Sequence, residues 1–243
     1  MSTDHALVFT FDRPASAPWP SADTSYPAPQ SVPAPDSCDC LEIFTPHPEY
    51  ARLTLFGDGL PPFMIVECHA ATLQALQRLA GDARLRSALH VMGAGDDCRA
   101  GLFRVLREPV PAPREDCAAP LSLLVHYYGP MDDAAGFTAH YVAHHPPILA
   151  RLPGVREVLC YVPADVALPG LRADPTVIRN EVRFDSMDTL LDALASPVLA
   201  ELRAHSKSFP RFGRSTHYPM TRQRFTGADQ QTPPHARAAD ASR

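Results

Sequence analysis

Residues 121–128 read Leu121-Ser122-Leu123-Leu124-Val125-His126-Tyr127-Tyr128, an aliphatic and aromatic run that predicts a strand with two unlike faces. Leu121, Leu123, Val125 and Tyr127 share the face expected to meet helices. Ser122, Leu124, His126 and Tyr128 share the other.

Outward from this strand, Gly129-Pro130 breaks the chain, and Asp132-Asp133 stands at the positive end of a helix expected from Ala134. Phe137, Tyr141, Ile148 and Leu152 form its packing stripe, and Pro146-Pro147 is expected to kink or interrupt it. A strand over 155–162, a Pro- and Gly-bearing excursion over 165–174 and a strand over 177–184 follow. Asp185-Ser186 then caps a helix carrying Met187, Leu190, Leu191, Leu194, Val198 and Leu202 at helical spacing. A closing strand over 214–225 completes a β-α-β-β-α-β unit.

A weaker copy lies upstream. Strands are expected over 6–11, 40–44, 63–68 and 101–106, with a helix over 71–89. Sliding this half by 114 residues places Glu67 on Glu181 and Leu76 on Leu190. The first copy exchanges its first helix for a stretch with seven prolines between Pro14 and Pro35. The expected organisation is a degenerate half over 1–110 with a Pro-rich loop at about 13–36, a linker over 111–120, a second half over 121–228 and a disordered tail over 229–243.

A four-stranded antiparallel sheet with helices on one face leaves the other face bare, so each half needs a partner sheet. The predicted fold class is α+β: two ferredoxin-like units whose sheets face each other as an intramolecular α+β barrel. Monomer with a pseudo-dimeric barrel and homodimer both remain open.

The balance of 22 Lys+Arg against 27 Asp+Glu gives a formal net charge of -5, which offers no field for nucleic acid. No apolar run has the length of a membrane span and the first residues lack a signal-peptide pattern, so a cytoplasmic protein is expected. Six scattered cysteines do not suggest a disulfide scaffold.

The stretch 141–155 resembles the EthD family of the dimeric α+β barrel, ferredoxin-like superfamily. The matching residues are His145, Pro147, Ile148, Leu152, Pro153 and Gly154, and Asn180 to Met187 is similar to the family's third strand entering its second helix, with Glu181 at the acidic position. The resemblance implies a ferredoxin-like fold and a pocket working without cofactor on lactones or aromatic intermediates.

Several residues are candidates for chemistry. His145 falls within the helical stripe beside Tyr141, with His144 at its edge; an imidazole there can move a proton or merely satisfy a carbonyl freed by Pro147. His126 and Tyr128 can orient or protonate a carbonyl, or form a hydrated polar layer. Glu181 shares a face with Arg179 and Arg183, and Glu67 shares one with His69. These four charges and His69 read either as base and anion clamp or as a cross-strand ion ladder. His217, on the closing strand, is a further candidate, though on an edge strand it would be surface.

No metal is expected: His140 and His144 lack the Glu of a zinc-hydrolase motif, and Cys38-Asp39-Cys40 stands alone. Nothing selects a haem ligand, and no phosphate loop or nucleophile elbow is present. The reading is a cofactor-independent isomerase, cyclase or decarboxylase acting by proton transfer on a small hydrophobic or aromatic carbonyl or lactone compound. His145, His126 and Glu181 are its catalytic candidates, with Tyr128, Tyr141, His144, Arg179, Arg183, Glu67, His69 and His217 contacting substrate. The alternative is a non-catalytic ligand-binding or accessory protein.

Overall fold

The computed structural model describes residues 4–13, 38–53, 58, 60–90, 98–113 and 119–226. The first half supplies β1 (Asp4–Phe11), β2 (Cys40–Pro46), β3 (Met64–Ala70), α1 (Leu73–Ala80), α2 (Ala83–Leu89) and β4 (Cys98–Glu108). The second supplies β5 (Leu121–Tyr128), α3 (Ala134–Leu149), β6 (Glu157–Pro163), the two-residue β7 (Arg172–Ala173), β8 (Thr176–Phe184), α4 (Met187–Ala195), α5 (Pro197–Ser206) and β9 (Arg214–Thr226).

Eight strands close in the order β1-β3-β2-β9-β5-β8-β6-β4, with β4 returning to β1. All eight pairings are antiparallel. Within each half the order is fourth, first, third, second strand, the ferredoxin-like arrangement, and the halves join through β2–β9 and β4–β6. Closure pairs the sheet edges that an isolated half would expose.

The two-residue alternation of the strands sorts side chains into an outer and an inner set. Leu121, Leu123, Val125 and Tyr127 face outward and pack with Phe137 and Tyr141 of α3 and Leu190 and Leu194 of α4. Leu7, Phe9, Val66 and Cys68 do the same against Leu76, Leu79 and Leu85 of the first half. Each such buried aliphatic or aromatic side chain contributes about 1.5–3 kcal/mol of transfer free energy. Inside, Val8, Phe44, Ile65, Phe103, Leu124, Leu159, Tyr161 and Met220 meet across the barrel. An eight-stranded barrel has room for side chains but little else, so its middle is filled and space opens only toward its ends.

Several local expectations are corrected. The helix expected over 71–89 is two, because Gly81 ends α1 and the Asp82 carboxylate caps α2 by accepting from the Arg84 and Leu85 amides. The helix after Ser186 also divides, where Pro197 starts α5 at its first turn. Conversely, α3 runs through Pro146 and Pro147 to Leu149. Both prolines lie in its last turn, and the Ala150 amide still donates to the Pro146 carbonyl at 2.9 Å. β9 is not an edge, since it lies between β2 and β5. The Pro-rich loop beyond Arg13, the middle of the linker and the C-terminal tail lie outside the described residues. Among the described residues no helix is long and apolar enough to cross a membrane.

Candidate functional site

The inner faces of β2, β3, β6, β8 and β9 carry a buried charged layer. Glu42, Glu67 and Glu181 face Arg179, Arg183 and Arg222, all at most 5% exposed. Burying one such charge alone is prohibitive, so each is matched. Arg183 Nη2 donates to Glu42 at 2.8 Å and its Nε to Glu181 at 2.6 Å; Arg222 Nη2 donates to Glu42 at 2.5 Å. Arg179 pairs with Glu67 and lies 4.6 Å from the Tyr161 ring centroid. Tyr161 Oη lies 3.0 Å from Glu67 and 2.8 Å from Glu181, linking carboxylates from opposite halves. Ser122 Oγ donates to Glu181 at 2.6 Å.

Burial alone would raise the Glu42 and Glu181 carboxyl pKa values, but Arg183 and the other guanidinium groups outweigh it and hold both below the usual range. Glu181 is therefore ionised and fully engaged, which suits a ladder better than a base.

His69 differs from these groups. It follows Glu67 by two residues on β3, so both side chains enter the barrel. Its Nε2 lies 3.3 Å from Glu67 Oε2 and 3.8 Å from Glu42 Oε2. Burial depresses the imidazole pKa, yet the Glu67 contact and the charges of Glu42 and Glu67 outweigh it, and the net shift is upward. The ring also lines a cavity of about 650 Å³, together with Cys40, Glu42, Val105, Arg107, Leu159, Arg183 and Arg224. That volume suits a small organic ligand.

His126 and Tyr128 enter the barrel near its opposite end. His126 Nδ1 lies 3.1 Å from Tyr128 Oη, and both line a second cavity of about 340 Å³. Burial, then Arg179 and Arg99, push the His126 pKa well down.

The remaining candidates stand elsewhere. His145 is in the outer helical layer, where its Nδ1 lies 3.0 Å from His205 Nδ1 of α5 and its ring 4.8 Å from that of Tyr141. Burial and His205 lower its pKa to about 3. Tyr141 donates to Asn180 Oδ1 at 2.7 Å, and exposed His144 bonds the His140 carbonyl at 2.8 Å. His217 alternates to the outer face of β9, its Nδ1 2.7 Å from Asp58 Oδ2. The structure thus separates His145 from His126 and Glu181, while joining Glu67, His69, Arg179, Arg183 and Glu181 in one layer. Sequence reasoning missed Glu42, Tyr161 and Arg222; the available signal was a Glu between Leu41 and Ile43 in an otherwise apolar strand.

Among the described residues a cation has two candidate donor sets, Cys40 with Glu42 and His69, and Glu42 with Glu67 and Glu181. Both share Glu42, which already accepts from two guanidinium groups. The Cys40 thiol is pushed up to about 12 by burial and then by Glu42. The donors therefore suit a proton and its arginine partners better than a metal ion.

No family model matches the sequence, and no characterised protein matches it in a sequence search. Solved structures do. An anthrone oxidase-like protein superposes with a TM-score of 0.59 at 7% identity, covering 96% of each chain. A candidate monooxygenase from Fusobacterium nucleatum superposes at 0.56 and 7% identity, covering 93% of this chain and 95% of its own. An EthD family protein from Bacillus halodurans reaches 17% identity over 44% of this chain and 96% of its own, but at 0.32 that superposition is too loose to add to the comparison. The first two establish the fold, an α+β barrel of ferredoxin-like halves.

Proposed function

We propose that the chain is a cofactor-independent enzyme that moves a proton on a small carbonyl compound bound in the larger cavity. The observation that carries this reading is His69 at the cavity wall with Nε2 against Glu67 and Glu42. Carboxylates 3.3 and 3.8 Å from one imidazole nitrogen favour a proton on it by charge, although neither makes a hydrogen bond to it, and they raise the basicity of the ring. Nδ1 is then the exchanging atom: in the neutral ring it takes a proton from a carbon acidified by a conjugated carbonyl, and it returns that proton to a different carbon of the resulting dienol, so that a double bond shifts. Atoms and electrons balance without a co-reactant, and the net change is an isomerisation. Arg224 at the wall would stabilise the enolate oxygen.

On this reading the chain is grouped with EthD-like barrels, as a tandem of related halves over 1–110 and 121–228. The proton-transfer role expected of His145 moves to His69. The description of one fold neighbour as anthrone oxidase-like directs the search to aromatic ketones, since an anthrone carries a carbonyl opposite an acidic CH2. A thermal-shift panel of aromatic ketones and lactones tests binding. A ligand at about 100 times its dissociation constant stabilises the native state by about 2.7 kcal/mol. At least one such shift is expected, and it should be lost in Val105→Trp, which fills the cavity; no shift across the panel contradicts the proposal.

The accessory reading is favoured by one observation, the saturation of Glu181 by Arg183, Tyr161 and Ser122. A ligand that binds with no proton exchange would support it.

A further inference from the structure

The barrel has two mouths, and the second carries a different chemistry. β5 runs from Ser122, opposite Arg183, to Tyr128, opposite Arg214, while β4 runs from Arg99 to Arg107. Arg183 and Arg107 line the first cavity; Tyr128, Arg214 and Arg99 line the second. Phe44, Ile65, Phe103, Leu124 and Met220 fill the barrel between them.

Charge on the lining of the second mouth leans positive, although Asp174, bonded to Thr10 of that lining, also acts on Arg99. Among the described residues its wall carries Arg13, Arg99 and Arg214 against Asp12 alone. Asp12 accepts from Arg99 Nη2 at 2.5 Å, but Arg99 Nε is buried and has no hydrogen-bond partner among the described residues. His126 Nε2 is likewise buried without a partner there, in a residue 3% exposed. Buried polar atoms are seldom left unpaired, since an unmet donor loses its hydration without a replacement partner. When Tyr128 Oη donates to His126 Nδ1, Nε2 carries the ring proton, so His126 and Arg99, both lining this cavity, each keep one unused buried donor. Around them Tyr128, Tyr218, Leu60, Pro61 and Pro62 supply ring and aliphatic faces. About 340 Å³ lies at the small end for ligand pockets, enough for one ring.

We propose that this mouth is a separate binding site for a single-ring aromatic carboxylate, its carboxylate held by Arg99 Nε and His126 Nε2 and its ring between Tyr128, Tyr218 and the Pro61-Pro62 edge. The site is independent of His69 and goes beyond the proton-transfer reading.

Isothermal titration of the full chain with benzoate tests it, with benzyl alcohol and inorganic phosphate as comparators. Benzoate should bind one site, with benzyl alcohol and phosphate at least tenfold weaker. Arg99→Gln should weaken benzoate at least tenfold, and His69→Gln should leave it unchanged. Should Arg99→Gln fail to fold, side-chain nitrogen NMR of the unaltered protein tests the same contact, because benzoate should shift the His126 Nε2 resonance. The proposal is overturned by absent benzoate binding, by equal affinity in Arg99→Gln, by loss in His69→Gln, by tighter phosphate binding, or by an unmoved His126 resonance.

Discussion

His69 and Glu67, two residues apart on β3, bring an imidazole nitrogen to 3.3 Å from a carboxylate oxygen inside the barrel, and the ring forms part of the larger cavity wall. Glu67 is in turn held by Arg179 and Tyr161 of the other half. The pair therefore depends on closure of both sheets into one barrel.

The upward shift of His69 has a definite sign for stability. Its folded pKa exceeds the ordinary value near 6.5, so its contribution is complete below that pH and is lost as pH rises through the folded pKa. Chemical denaturation across this range should show a stability decline in the unaltered protein that His69→Gln flattens. An unchanged slope in the variant would show that His69 is not held by its carboxylates.

Glu67→Gln should destabilise by about 3–5 kcal/mol, because it leaves the buried Arg179 guanidinium without its counter-charge. Adding Arg179→Met should restore much of that loss. Urea midpoints of the single and double variants measure both; a double variant no better than the single would refute the pairing.

His145 should make the protein acid-sensitive. Its folded pKa is about 3, lowered by burial among Tyr141, His205 and Phe209, whereas the unfolded group titrates near 6.5. The unfolded state thus binds the extra proton first, and stability falls as pH drops from about 6.5 toward 3, by on the order of a few kcal/mol. His145→Phe should reduce that fall, as followed by thermal melts at stepped pH. Burial, then His140 and His144, also lower the His205 pKa in the same layer.

Gly154→Ala should cost about 1–2 kcal/mol or more, since φ is 72° and a Cβ would stand 2.4 Å from Thr189 Cγ2. Thr189→Ala should relieve only the steric part, leaving the backbone strain. Melting temperatures separate the two; full rescue would mean that the left-handed backbone adds nothing.

The fold was legible where one period dominates. The alternation of 121–128 assigned both faces of β5, and the order of elements gave two facing sheets. Helix breaks at Gly81-Asp82 and Ser196-Pro197 were not, because apolar spacing continues across them. The stripe on α3 did identify packed residues such as Tyr141. However, helices of this fold cover the outside of the barrel, so a packed helical side chain meets the sheet's outer face and His145 lies away from both cavities. Glu42, Tyr161 and Arg222 come from three strands that meet only when β2 joins β9 and β4 joins β6. Pairing across such distant positions leaves no local pattern to read.

The most direct test of the proton-transfer account is deuterium incorporation. Anthrone and a set of aromatic ketones and lactones are incubated with protein in D2O, and exchange at the carbonyl-acidified C–H (the CH2 opposite the carbonyl in anthrone) is read by mass spectrometry against a protein-free control. The account predicts that the unaltered protein accelerates exchange in at least one compound, and that His69→Gln, still folded by circular dichroism, lowers that acceleration at least 100-fold. Acceleration that survives in His69→Gln, or none in any compound that binds, would contradict it.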